Sequence, residues 1–167
     1  ATLIQQLRAK TPELVLVSAG GLLSADGPGD RLKGEYILKG FSKLNYDAIG
    51  VQWRDLAYGP AFASGESLPW VLSNRGSVTA TEDTGFAGER VITRGKQRIR
   101  FFSWLDAAAS PLRKMQGEHS LVDVSPKSFL AALKQAKQAG DITVVASTLS
   151  SQQFAKQVGL DNVDLLI

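Results

Sequence analysis

The sequence predicts an α/β domain: a mostly parallel or mixed sheet sandwiched between helices, interrupted by one β-hairpin. Three observations predict it. Short apolar runs of strand length recur through the chain. Segments of helical period separate most of them, the pattern of a sheet covered by helices on both faces. Between residues 89 and 104 the period drops to two around Arg94-Gly95-Lys96, which marks a hairpin.

Taken in order, Ala1 to Lys10 reads as a short helix with Leu3, Ile4 and Leu7 on one face, stopped at Thr11-Pro12. Leu14 to Val17 is a buried parallel strand running into Ser18-Ala19-Gly20-Gly21, where the backbone turns sharply. Ser24 to Asp30 is a loop rich in Gly, Pro and Asp. Gly34 to Leu44 reads as a helix, with Tyr36, Ile37, Phe41 and Leu44 on one face. Asp47 to Val51 and Pro69 to Ser73 are the next strands, with Arg54 to Ser67 irregular between them. After the hairpin, Asp106 to Val124 is a loop. A helix then opens with Ser125 at the N-cap and Pro126 behind it, and ends at Gly140. Ile142 to Ala146 is a strand, Ser150 to Val158 a helix, and Val163 to Ile167 a last strand.

The 167 residues suit one domain, which buries roughly 70% of its unfolded surface. The net charge of +3 is spread along the chain, densest at Arg90, Arg94, Lys96, Arg98 and Arg100. In a hairpin these read as a solvated face, so no nucleic-acid partner is expected. With no cysteine, disulfides, thiolate metal sites and a Cys nucleophile are excluded. No apolar run reaches the roughly 20 residues of a transmembrane helix.

In open α/β sheets ligands bind at the carboxyl ends of the strands. The tips to inspect are residues 18–22, 50–55, 73–74, 104–106 and 147–150. They hold two carboxylates, Asp55 and Asp106, and no histidine. Metal catalysis on phosphate needs several converging carboxylate, His or Asn ligands. The only histidine, His119, sits in a loop with no nucleophile motif beside it. Neither a phosphate-binding G-x-x-x-x-G-K-[ST] nor a G-x-S-x-G elbow is present. Trp53 at a tip either fills a would-be pocket or stacks on a ligand.

The order of segments resembles a known family. A helix, Leu14 to Gly21, a second helix, then Leu44-Asn45-Tyr46-Asp47-Ala48-Ile49-Gly50 are similar to the 5′-nucleotidase branch of the calcineurin-like metallophosphoesterases. So are the strands at Leu68 to Asn74, Arg98 to Leu105, Asp141 to Thr148 and Asp164 to Ile167. The resemblance implies that fold, two bound metal ions, phosphoester hydrolysis and an extracytoplasmic or periplasmic setting. It also implies what this chain lacks. Where the family's first strand ends in Gly-Asp, with the Asp bridging the metals, this chain has Gly20-Gly21. The family's block is Gly-Tyr-Asp-Ala-x-x-x-Gly-Asn-His-Glu-Phe-Asp. With Gly50 on the Gly after the three variable positions, Val51 stands for the metal-binding Asn and Gln52 for the catalytic His. Asp55 survives, at a place that binds no metal in the family. Thr148 takes the place of a metal-binding His. The family's opening Asp-x-His strand and closing Gly-His pair have no counterpart in the 167 residues.

These substitutions lead to a degenerate member: one domain, residues 1–167, of a longer chain or larger assembly. It is expected to have no catalytic residue, no metal and no cofactor, and to contact other protein domains or subunits. The alternative is a binding module for a nucleotide-like or small anionic molecule. Its candidate positions are Gly21, Gln52, Trp53, Arg54, Asp55, Asn74 and Thr148, with Trp53, Arg54 and Asn74 lining the pocket. A residual hydrolase with an unfamiliar site is the third reading. A flavodoxin-like sheet is the rival fold, and the hairpin argues against it.

Overall fold

Among the described residues seven short strands form two sheets, and side-chain size decides how the sheets meet. The computed structural model describes residues 2–76, 84–110 and 121–167. The first helix, α1 (Thr2–Lys10), leads to β1 (Val17–Ser18), α2 (Asp30–Ser42) and β2 (Ala48–Gly50). A 3-10 turn (Trp53–Leu56), a short α3 (Pro60–Ala63) and β3 (Trp70–Val71) follow. The hairpin is β4 (Arg90–Arg94) and β5 (Gln97–Trp104), and a 3-10 turn (Ala107–Ala109) comes after it. Then come α4 (Lys127–Gln138), β6 (Ile142–Ser147), α5 (Ser151–Gln157) and β7 (Leu165–Leu166).

Strands β1, β2 and β3 lie side by side, all parallel, with Val17 opposite Ala48 and Ile49 opposite Trp70. The second sheet runs β4-β5-β6-β7. Only the hairpin pair β4 and β5 is antiparallel.

Alternation along the strands sorts side chains into three cores. Ala48, Val71, Ile92, Phe101, Val144 and Ala146 pack between the two sheets. Ile49, Val51, Trp70 and Leu72 point the other way, toward Leu38 of α2. Phe102, Trp104 and Val145 point outward from the second sheet, onto Phe129 and Leu133 of α4 and Phe154 of α5. Phe101 and Phe102 are adjacent and wholly buried in different cores, each burial stabilising by about 1.5–3 kcal/mol. The result is a helix, sheet, sheet, helix sandwich.

The inter-sheet layer is thin where its residues are small. A Cβ on Gly50 would lie 3.0 Å from both the Ala146 Cβ and the Ser103 Oγ. The Val51 amide donates to that same Ser103 hydroxyl at 3.3 Å. Gly50 is therefore glycine because the sheets touch there.

Several expectations change in detail. The helices are split between the outer faces of two sheets rather than covering one. The strands β1, β3 and β7 are two residues each, shorter than their apolar runs. Helix α2 begins at Asp30, a turn before the apolar period starts. Helix α4 begins at Lys127 with Pro126 in the cap position, one residue later than expected. On α1, Leu3 and Leu7 stay exposed.

The hairpin cations are not one solvated face. Arg100 is buried and pairs with Asp141 at 2.7 Å and Glu89 at 3.3 Å, and Arg98 approaches Asp141 at 3.3 Å. Arg94 pairs with Asp47. No helix among the described residues is long and apolar enough to cross a membrane.

Candidate functional site

The carboxyl ends of β1 and β2 are tied together by one side chain. Gly20 and Gly21 follow β1 with φ of 93° and 76°, a left-handed turn open to glycine. The turn aims successive backbone N–H groups at Asp55, in the 3-10 turn after β2. Its carboxylate accepts from Gly21 at 2.7 Å, Leu22 at 2.6 Å, Leu23 at 3.1 Å and Gln52 at 2.9 Å. Asp55 is fully buried. Burial pushes its carboxyl above the usual carboxylate range, while the four N–H groups pull it down.

Gln52 sits over the turn. Its Nε2 donates to the Ala19 carbonyl at 3.3 Å. A Cβ on Gly21 would meet the Gln52 Oε1 at 2.8 Å, so the Gln52 amide occupies the direction a side chain at 21 would take. Val51 is buried in the α2-side core and faces no solvent.

The other three tips are closed in the same manner. Asn74 is buried, and its Nδ2 donates to the carbonyls of Leu105 at 2.9 Å and Asp123 at 3.0 Å. Its Oδ1 accepts from the Leu105 amide at 3.0 Å. The Thr148 hydroxyl accepts from the Asp106 amide at 2.9 Å, and the Asp106 carboxylate accepts from Ala108 at 3.0 Å.

Beside these tips lies a cavity of about 600 Å³. Trp53 and Arg54 form one wall, with Ser24, Asp26, Ala57 and Ala109 around them. The Trp53 indole is fixed by its Nε1, which donates to the Asp106 carbonyl at 2.7 Å. Arg54 is exposed. Asp30 shapes the facing loop: it accepts from Ser24 Oγ at 3.0 Å, Asp26 N at 3.0 Å and Gly27 N at 2.9 Å, and pairs with Lys33 at 2.9 Å. Lys33 first, then the Ser24 and Gly27 donors, lower its pKa to about 2.

The structure thus divides the expected residues. Trp53 and Arg54 line the cavity. Gly21, Gln52 and Asp55 form the network beside it. Asn74 does not line it, because all of its polar atoms are engaged with backbone, and Thr148 likewise serves the backbone. Ser24 and Asp26 were missed. The signal for them was the Gly-, Pro- and Asp-rich loop after the first strand tip, which reads as a surface crossing. His119 lies outside the described residues. Among the described residues no three His, Cys, Asp or Glu side chains converge on one point.

Comparisons with solved structures find the same fold. Over 98% of this chain, the 5′-nucleotidase precursor from Thermus thermophilus superposes with a TM-score of 0.77 at 18% identity. The calcineurin-like phosphoesterase YfkN from Bacillus subtilis matches 99% of the chain, with a TM-score of 0.73 and 17% identity. The NAD nucleotidase NadN from Haemophilus influenzae matches 98%, with a TM-score of 0.75 and 12% identity. The chain spans 34%, 60% and 34% of those proteins, respectively. No protein-family profile and no curated protein matches the sequence. The fold is that of the metallophosphoesterase and 5′-nucleotidase-like domains.

Proposed function

We propose that this domain is a catalytically silent metallophosphoesterase-like module that acts as a structural or protein-interaction unit. One observation carries the reading. The polar side chains at the strand tips are spent on backbone: Asp55 on four N–H groups, Asn74 on Leu105 and Asp123, and Thr148 on the Asp106 amide. A carboxylate so engaged has few lone pairs left for a cation.

The family resemblance implies two bound metal ions, and the donor set here does not fit them. Counted without a gap from Tyr46-Asp47-Ala48, the family's Asn-His-Glu falls on Trp53-Arg54-Asp55. That register agrees with Val51 being core and with Trp53 and Arg54 facing the cavity. In either register the Asn and His are absent: Val51 and Gln52 in one, Trp53 and Arg54 in the other. A guanidinium is always cationic and binds no metal. For surfaces to contact partners, α2 exposes Leu32 at 58% and Tyr36 at 68%, one turn apart on its outward side.

The test is hydrolysis of a nitrophenyl phosphate monoester, a diester and a nucleoside monophosphate by the purified protein with manganese or zinc. The expected result is no turnover above buffer. Turnover that is lost in Arg54→Ala would overturn the proposal.

A second reading, a ligand-binding module, is favoured by the cavity itself: a fixed indole and a guanidinium with no partner among the described residues. Nucleotides at 100 times their Kd would then stabilise the protein by about 2.7 kcal/mol. Thermal melts without any shift would sink that reading.

A further inference from the structure

At the opposite end of the first sheet, where β2 and β3 begin, a second cavity of about 360 Å³ opens. Its wall carries Arg8 from α1, Phe41 from α2, Tyr46 and Asp47 just before β2, Ser67 before β3, and Arg90 from β4. Five separate segments thus meet at one concave surface. Its volume lies within the range of small-molecule sites.

The electrostatics of this cavity are uncompensated. Among the described residues that line it Asp47 is the only acidic one, and that carboxylate is already taken: it pairs with Arg94 and accepts the Leu16 amide at 2.8 Å. Arg8 donates one terminal nitrogen to the Asn45 carbonyl, while its Nε is buried with no hydrogen-bond partner. Buried donors almost always have partners, so the guanidinium of Arg8, a residue that lines the cavity, is left with unmet hydrogen-bonding capacity. Arg90 is exposed, and its side chain makes no ion pair or hydrogen bond among the described residues. It is the member of the hairpin's basic cluster that lines this cavity, whereas Arg94, Arg98 and Arg100 are spent on Asp47, Asp141 and Glu89. Ser67 adds a hydroxyl-bearing residue to the lining. Phe41 and Tyr46 stack with centroids 5.0 Å apart and planes at 18°, giving the cavity a flat apolar side.

We propose that this cavity binds a small molecule carrying a carboxylate or phosphate group, held by Arg8 and Arg90, with a flat apolar portion against Phe41 and Tyr46. Guanidinium groups suit both anions because their N–H donors match paired oxygens. The site is independent of the proposal for the strand tips. It stands on other residues and requires neither hydrolysis nor its absence.

The experiment is an NMR titration of the labelled protein with three probes: phenyl phosphate, inorganic phosphate and benzoate. Saturable shifts at residues 45–47 and 90–91 are expected with phenyl phosphate, with benzoate, or with both. The stronger of the two identifies the anion. Inorganic phosphate, lacking the ring, binds more weakly. Arg90→Gln, on an exposed strand position, weakens binding on the order of tenfold, the worth of one charge-assisted hydrogen bond. Arg8→Gln does the same, and Arg8→Lys, which keeps the charge but loses the planar fork of donors, does not restore it. Lys96→Gln removes the same charge from the hairpin turn and leaves binding unchanged. No saturable shift with any probe at millimolar concentration overturns the proposal. So does a loss in Lys96→Gln equal to that in Arg90→Gln, which would reveal only general attraction of anions to a basic protein.

Discussion

The two ends of the β1–β3 sheet are built on opposite terms. At the carboxyl ends, the polar side chains are turned inward. Asp55 accepts four amides, Gln52 caps the Ala19 carbonyl, and Asn74 bridges two backbone segments. At the amino ends, Arg8 keeps a buried N–H without a partner and the Arg90 side chain stands free among the described residues. Satisfaction of polar groups, rather than their number, separates a tip whose donors and acceptors are paired from a cavity wall where one donor is not. The fold relatives direct attention to the first end. The hydrogen bonding directs it to the second.

The largest effect that can break this comparison is loss of the Asp55 carboxylate. Asp55→Ala strands four backbone donors, of which Leu23 is buried outright. With about 1–3 kcal/mol for each buried donor left unpaired and partial rescue by water, the loss is on the order of 4 kcal/mol. Urea denaturation measures it through the midpoint at constant slope. Arg90→Gln at the other end should move stability by no more than about 0.5 kcal/mol, because no native side-chain contact depends on it. Equal effects at the two ends would erase the distinction.

Much of the scaffold was legible in the sequence. The hairpin turn falls on Gly95, and the cap of α5 falls on Ser150, whose hydroxyl accepts from Gln153 while the Gln153 side chain returns to Ser150. Both are local, so both can be read from neighbouring residues. The pairing of strands into two sheets depends on small residues meeting across the sandwich, as Gly50 meets Ala146 and Ser103, and no periodicity announces that. The site follows the same rule. That Trp53 and Arg54 line a cavity was legible because the strand tips of α/β sheets border concave surfaces. Asn74 was misread because its partners lie 31 and 49 residues away. The pairing of Arg100 with Asp141 spans 41 residues, so a run of cations that alternates like a solvated face contains a buried ion pair.

A smaller effect tests how tightly the β1 tip is drawn. A Cβ on Gly20 would stand 2.3 Å from the Gly50 carbonyl oxygen, which is backbone and has little room to yield. Its φ of 93° adds strain for any other residue. Gly20→Ala should therefore cost about 2–3 kcal/mol. Gly40, within α2, has nothing within 4 Å of its would-be Cβ. Gly40→Ala should instead stabilise by up to about 1 kcal/mol, through helix propensity. Opposite signs for the same substitution in thermal melts locate the constraint in the tip rather than in glycine content.

The smallest effect is in the acid limb of stability, and it separates the buried carboxylates of Asp30 and Asp55. Asp30 has its pKa lowered to about 2 in the fold, against 3.8 ordinarily. The folded state therefore favours its ionised form. The stability this contributes is fully present above roughly pH 4 and is lost as pH falls through 3.8 toward 2. Asp55 works in the opposite sense. Burial raises its pKa, so its protonation on acidification favours the fold and offsets part of the Asp30 loss. Asp30→Asn should be less stable than the wild type near neutrality, and the gap should close as pH approaches 2, read from urea midpoints at successive pH values. A gap that stays constant down to that pH would mean that Lys33, Ser24 and Gly27 hold the Asp30 side chain through shape rather than charge. The loop facing Trp53 and Arg54 would then keep its form at any protonation state.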